Sequence, residues 1–208
     1  MEKGLKFFRL PFFAPLELKG AFFMITTTKK LVGTGCFAAL SFVISLIEFP
    51  IFPAADFLKL DFSAVFILLA GFIFGPVSAI CVSGVKELLR FLMGSSTGGV
   101  GEIANFCIVL GFFIIPTVVY KYRKGLKTVI VTILIGCVIQ ILLSLLVNRY
   151  INFPLYMGDS AKVVFNSLWH YIVLFNAIKS VSVSVITILL YKRTSKFIKN
   201  FNVKKSEE

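Results

Sequence analysis

Ten acidic residues, one histidine and one tryptophan are all that 208 residues supply of these types, and each scarcity closes off some chemistry. With a single histidine, His170, no HExxH or other paired-histidine metal set can be written. The four cysteines, Cys36, Cys81, Cys107 and Cys137, have no CxxC spacing and sit inside apolar stretches, where they read as small packing residues. There is no GxSxG elbow, no DxxDG acidic cluster and no base beside a nucleophile, so no enzyme assembles from the sequence. A GxxxxGK phosphate loop is missing too, so any active transport must draw its energy from a partner or an ion gradient.

What the chain has in abundance is apolar surface: 58% hydrophobic residues, 24 of them phenylalanine, and a mean hydropathy of +0.93. One soluble core of this length cannot hide so much, so the solvent for most of it is lipid. Crossing ~30 Å of hydrocarbon takes roughly 20 helical residues. Apolar stretches recur near 31–47, 62–74, 77–93, 103–120, 128–148 and 169–191. Only Gly75-Pro76 separates the second from the third, and the pair favours a turn between two short helices over one overlong span. The expected fold is therefore all-α, an integral membrane bundle of six transmembrane helices.

Positive flanks stay cytoplasmic. Lys29 and Lys30 precede the first span, Lys121, Arg123, Lys124 and Lys127 join the fourth to the fifth, and Lys192, Arg193, Lys196 and Lys199 follow the sixth. Six crossings put all three clusters on one side, with both termini cytoplasmic. A net charge of +12 confined largely to helix flanks makes no basic face for nucleic acid, which is not expected as a partner. The chain divides into residues 1–28, a proline-broken extension or a misassigned start upstream of Met24, a membrane domain over 29–193, and a basic cytoplasmic tail over 194–208.

Three connections face outward. The first, Glu48 to Asp61, contains Pro50 and Pro53, which forbid regular helix, between phenylalanines that either fold back over the helices or anchor among lipid headgroups. The second, Gly94 to Glu102, is glycine-rich and serves either as a linker or as backbone approaching a ligand. The third, roughly 149–168, is long for a bundle loop and reads as a lid, a cap or a tolerated insertion.

Polar residues inside spans face a cavity or a neighbouring helix, because lipid penalises them. Asn176 and Lys179, three apart, share a face of the last helix, and with Asn148 they make a set of donors and acceptors opening outward. Helix-bridging hydrogen bonds, or an ion pair from Lys179 to a carboxylate such as Glu87, are the structural alternatives. Lys86, Glu87 and Arg90 read as structural, Glu87 and Arg90 pairing at i,i+3. His170, between Trp169 and Tyr171, reads as interfacial.

Several runs resemble the riboflavin-specific S components of energy-coupling factor (ECF) transporters: Phe49-Pro50-Ile51-Phe52-Pro53, Phe57-Leu58-Lys59-Leu60-Asp61-Phe62-Ser63, Gly71-Phe72-Ile73-Phe74-Gly75-Pro76, Gly101-Glu102-Ile103-Ala104-Asn105, Phe153-Pro154-Leu155-Tyr156 and Phe175-Asn176-Ala177-Ile178-Lys179. The likeness covers Lys29 to Arg193. It implies a multi-pass subunit of the bacterial plasma membrane that captures riboflavin as a transported ligand, with no cofactor. Its pocket would open outward under the first loop. Asn148, Asn176 and Lys179 match the positions that hydrogen-bond the flavin ring. Phe57, Leu58, Lys59, Asp61, Gly101 and Asn105 would surround the rest of the ligand. The implied partners are a membrane coupling subunit and two ATPase subunits. Gly33, Gly35 and Ala39 on the first helix form a small-residue stripe suited either to docking that partner or to packing within the bundle. Ser96-Thr97-Gly98-Gly99 stands where an Asp-Pro is common in the family, and Phe66 where proline is frequent, which bears on the lid more than on the ligand. An S component for another vitamin, a self-sufficient carrier and a membrane enzyme are the competing readings.

Overall fold

A computed structural model describes residues 28–95 and 97–203, with side chains to Arg193. The reading of residues 1–27 as an extension lies outside the described residues. The architecture is all-α apart from one two-stranded hairpin. Its elements are α1 (Thr28–Ser45), β1 (Phe49–Pro50), a 3-10 turn (Pro53–Ala55), β2 (Lys59–Leu60), α2 (Ser63–Phe74), α3 (Pro76–Leu92), α4 (Val100–Tyr122), α5 (Leu126–Val147), a π turn (Asn148–Asn152), α6 (Phe153–Met157), a 3-10 turn (Gly158–Ser160) and α7 (Ala161–Val203).

Helix α2 is the hub. Nearly every residue from Ser63 to Phe72 is buried, with Ile67, Leu68 and Ala70 wholly inaccessible. A helix that is apolar all round is stable only when neighbours cover every face, and α1, α3, α4 and α7 all pack on this one. Gly75 ends it at φ +100° and Pro76 opens α3. That glycine conformation penalises a Cβ, and proline is tolerated in a first helical turn because its missing N–H would be unpaired there anyway. The Gly75-Pro76 turn expected from the sequence is thus present. Helices α4 and α5 lie unusually close at Gly136, where an added Cβ would stand 2.3 Å from the Phe112 carbonyl oxygen.

The outer surface is apolar in stripes. Val131, Leu134, Val138, Leu142 and Leu146 on α5, Val181, Val185 and Leu189 on α7, and Leu31, Val32, Leu40 and Val43 on α1 are all about half exposed or more. Spacings of three and four place the α5 and α7 sets each along one helix face, and exposed apolar surface of this extent suits a membrane and not water. Two helical stretches among the described residues are long and apolar enough to cross by themselves: Val100–Tyr122 and the continuous run Leu126–Arg193.

The third connection differs from the loop expected over 149–168. It is helical almost throughout, and α7 begins at Ala161 and runs 43 residues, past the expected span at both ends. Phe153, Ala161, Phe165 and Ile172 bury together against Ala55, Leu58 and Leu60 of the first connection. Tertiary packing therefore holds the segment in helix. The same cluster answers how the first connection behaves. Its Ala55, Leu58 and Leu60 fold back over the helices, while Phe49 and Phe57 remain about half exposed.

Candidate binding site

Between the first connection and helices α3, α4, α5 and α7 lies a cavity of about 450 Å³. Its position follows from the ends of the elements. The cavity takes residues from the last turn of α3, the first turns of α4, the C-terminal end of α5 and the N-terminal half of α7. The basic clusters around Lys29, Lys121 to Lys127 and Lys192 to Arg193 sit at the opposite helix ends.

Among the buried polar groups of the wall is an ion pair. Lys179 Nζ lies 2.7 Å from Asp61 Oδ2, and both side chains are 7% exposed. Asp61 Oδ1 accepts the Ser63 N–H at 2.9 Å and the Ser63 hydroxyl, which ties the end of the first connection to the first turn of α2. Lys179 is thus paired inside the bundle with a carboxylate whose other oxygen is also hydrogen-bonded, the condition under which such a pair is tolerated. The partner is Asp61, not the Glu87 considered from the sequence.

Beside the pair, Asn176 Nδ2 donates to the Ile172 carbonyl at 2.9 Å and its Oδ1 accepts from Gln140 Nε2 at 3.4 Å. Asn148, the first residue of the π turn, donates from Nδ2 to the Ser144 carbonyl at 2.7 Å and accepts from Asn152 Nδ2 at 3.1 Å. Single π turns in helices often occur at functional sites, and this one separates α5 from the α6 cap. Gln140 is 2% exposed, and its Oε1 has no hydrogen-bond partner among the described residues. Buried acceptors are seldom left unpaired, so this atom marks where the wall can receive a donor.

Toward the mouth the side chains grow more exposed. Glu48 Oε2 lies 2.8 Å from Arg90 Nη1, and Glu48 Oε1 lies 3.1 Å from Lys59 Nζ, with the Lys59 side chain 49% exposed. Arg90 also donates to the Ser45 carbonyl at 2.6 Å. Burial raises the Glu48 pKa, but hydrogen bonds and charge from Arg90 and Lys59 outweigh it and hold the carboxyl below its ordinary value. Also on α3, Glu87 Oε1 accepts from Asn105 Nδ2 of α4 at 2.5 Å, and Lys86 Nζ is 2.6 Å from the same oxygen. The expected Glu87–Arg90 pairing is therefore replaced: each pairs with a different residue. Above them Ser95 and residues 97–102 of the glycine-rich connection are tied together by hydrogen bonds. Ser95 and Thr97 hydroxyls donate to Glu102 Oε2 at 2.8 and 2.9 Å, and the Tyr156 hydroxyl reaches across from α6 to the Thr97 carbonyl at 3.1 Å.

All nine residues expected around a ligand, Phe57, Leu58, Lys59, Asp61, Gly101, Asn105, Asn148, Asn176 and Lys179, line this one cavity. Asp61 is spent on Lys179 and Ser63. Phe57 stacks edge-on to Phe153 at 5.9 Å and so joins the first connection to α6. The small-residue stripe divides. A Cβ at Gly33 would collide with the Phe74 ring at 2.3 Å, so Gly33 serves packing inside the bundle, whereas Gly35 has nothing within 4 Å and, like Ala39, faces outward. Sequence reasoning missed Gln140, Glu48 and Glu102. Gln140 could have been found: it is polar within an apolar span and lies four and eight residues before Ser144 and Asn148 on the same face.

An apolar exterior around a chamber with a charged and amide-bearing wall defines a membrane protein built on helices to enclose a small molecule. Comparison with known proteins makes this specific. Residues 29–191 match the family described as ECF transporter, substrate-specific component. The riboflavin transporter RibU of Staphylococcus aureus is 35% identical over 82% of this chain and 93% of its own. The riboflavin transporter FmnP of Bacillus subtilis is 31% identical over 82% and 94%. A solved structure reported under "Structure and mechanism of the S component of a bacterial ECF transporter" superposes with a TM-score of 0.72 at 36% identity, covering 82% of this chain and 98% of that one. The chain belongs to the substrate-specific components of ECF transporters.

Proposed function

We propose that this chain captures riboflavin from outside a bacterial cell and delivers it through an ATPase-driven ECF module. The observation that carries the reading is that nine residues scattered from Phe57 to Lys179 converge on one cavity, within the ~300–1,000 Å³ typical of small-ligand sites. The edge of the isoalloxazine ring alternates carbonyl acceptors with a ring N–H. Lys179 retains donors beyond the one facing Asp61, and Asn148, Asn176 and the unpaired Gln140 Oε1 supply the complementary amide chemistry. The flat ring body suits Leu58, Phe153 and Phe175, and the ribityl chain extends toward Lys59, Gly101 and Asn105.

In this reading α1, α2, α3, α4, α5 and α7 are six crossings of the plasma membrane. Both termini are cytoplasmic, because the basic clusters around Lys29, Lys121 to Lys127 and Lys192 to Arg193 lie, among the described residues, on the side remote from the cavity. The cavity then opens outward and the first connection is its cover. Gly35 and Ala39 on the open face of α1 form the docking stripe for the coupling subunit, which works with two ATPases, and the chain topples in the membrane to release its load. The named relatives, both riboflavin transporters, support the choice of ligand.

The test is to purify the chain in detergent without added ligand, record its absorption spectrum, and titrate riboflavin while following flavin fluorescence. A co-purifying flavin band, or saturation near one flavin per chain, is the expected result. Folded protein showing neither overturns the ligand assignment, and transport by the chain alone in liposomes overturns the dependence on a coupling module.

A further inference from the structure

The charged groups around the cavity form a closed set. Its lining cations are Lys59, Arg90 and Lys179, and its lining carboxylates are Glu48, Asp61, Glu87 and Glu102. Lys179 is matched by Asp61 at 2.7 Å, and Glu87 is matched from behind the wall by Lys86 at 2.6 Å. What remains lies toward the mouth, where exposure is greatest. There a single carboxylate, Glu48, bridges both cations, Arg90 at 2.8 Å and Lys59 at 3.1 Å. Glu102 adds a second negative group held by neutral hydroxyls and by no cation within ion-pair distance among the described residues. The mouth therefore offers polar groups in number but no uncommitted positive charge.

We propose that Glu48 makes the site selective for an uncharged polyol over the corresponding phosphate monoester, by holding the two mouth cations that would otherwise receive the phosphate. The inference rests on the flavin reading above, which directs the ribityl chain toward the mouth. A phosphate on its terminal hydroxyl adds roughly −1.5 to −2 charges at neutral pH. It would enter beside Glu48 and Glu102 and would have to displace Glu48 from Lys59 or Arg90 to gain a counter-ion. Like charges brought together at a partly desolvated contact are strongly unfavourable. A neutral hydroxyl meets no such penalty, because it donates a hydrogen bond to a carboxylate and accepts one from an ammonium. Glu48 and Lys59 also span the start and the end of the hairpin, so the pair that discards charge is part of the cover itself.

The experiment measures dissociation constants of the full chain in detergent for riboflavin and for riboflavin 5′-phosphate, at neutral pH and fixed ionic strength. The quantity read is the ratio of the two constants. In the wild type the phosphate is expected to bind at least about tenfold more weakly. Glu48→Gln keeps the shape and an acceptor for Arg90 but removes the charge, and should reduce the ratio about tenfold. Lys59→Gln changes a half-exposed side chain and should move the ratio the other way, so the proposal remains decidable even if Glu48→Gln does not fold. A wild-type ratio near one, or a ratio that neither variant moves, overturns the selectivity role and leaves riboflavin capture intact. Failure of the wild type to bind riboflavin overturns the capture reading and this one with it.

Discussion

Replacing Lys179 with methionine separates two jobs that the structure gives to one side chain. The side chain is 7% exposed, its ammonium lies 2.7 Å from Asp61, and the residue lines the cavity. If it donates a charge-assisted hydrogen bond to the flavin, its loss should cost about 1.5–3 kcal/mol of binding, which at about 1.4 kcal/mol per decade weakens the dissociation constant about ten- to a hundredfold. The same change strands Asp61 in the interior. Breaking a buried pair on one side costs about 3–5 kcal/mol of stability, and the two Ser63 donors that remain should place this case at the low end. Asp61→Asn combined with Lys179→Met removes the stranded charge. Melting in detergent should therefore recover in the double variant while flavin affinity stays low, and Asp61→Asn alone completes the cycle that isolates the pair. Lys179→Met binding flavin within about threefold of wild type would refute the contact. Recovery of affinity together with stability in the double variant would show that Lys179 acts only through Asp61.

Other consequences are as direct. Gly136→Ala places a methyl 2.3 Å from the Phe112 carbonyl and should destabilise by about 1–3 kcal/mol, read as a lower melting temperature, while Gly35→Ala, with nothing within 4 Å, should not move it. Gly35→Leu should leave flavin binding by the isolated chain unchanged yet abolish uptake by the assembled transporter if α1 docks there, and undiminished uptake would remove that role. The Tyr120 and Tyr191 hydroxyls pair at 3.0 Å in the core, at the helix ends remote from the cavity. Tyr191→Phe should cost about 0.5–1.5 kcal/mol of stability without altering flavin affinity. Glu48 carries a pH signature: its pKa is lowered by folding, so its contribution is complete above the ordinary carboxylate value and fades as pH falls through the lower folded value. The melting temperatures of wild type and Glu48→Gln should therefore differ at neutral pH and converge in strong acid, and a difference that persists there would assign the effect to shape.

Much of the architecture is legible from composition and periodicity. The apolar stretches expected near 62–74, 77–93 and 128–148 became α2 over 63–74, α3 over 76–92 and α5 over 126–147, because Gly75-Pro76 and the basic Lys121 to Lys127 segment punctuate them with local chemistry. The segment over 149–168 left lid, cap and insertion open because its length is a local signal, whereas the burial of Phe153 and Phe165 against Leu58 and Leu60 is not.

The amino-acid sequence by itself determined the solvent of this protein, the helical elements and the residues worth watching, since hydropathy, helix breakers and polar groups inside apolar spans act over a few turns of chain. Only the tertiary structure decided who meets whom. It gave Lys179 to Asp61 and not Glu87, turned Gly33 inward while leaving Gly35 open, and set one carboxylate, Glu48, between Lys59 of its own connection and Arg90 of α3. Pairing of this kind depends on how helices are rotated and stacked, and that is fixed by packing around the buried α2 hub, to which α1, α3, α4 and α7 all contribute at once.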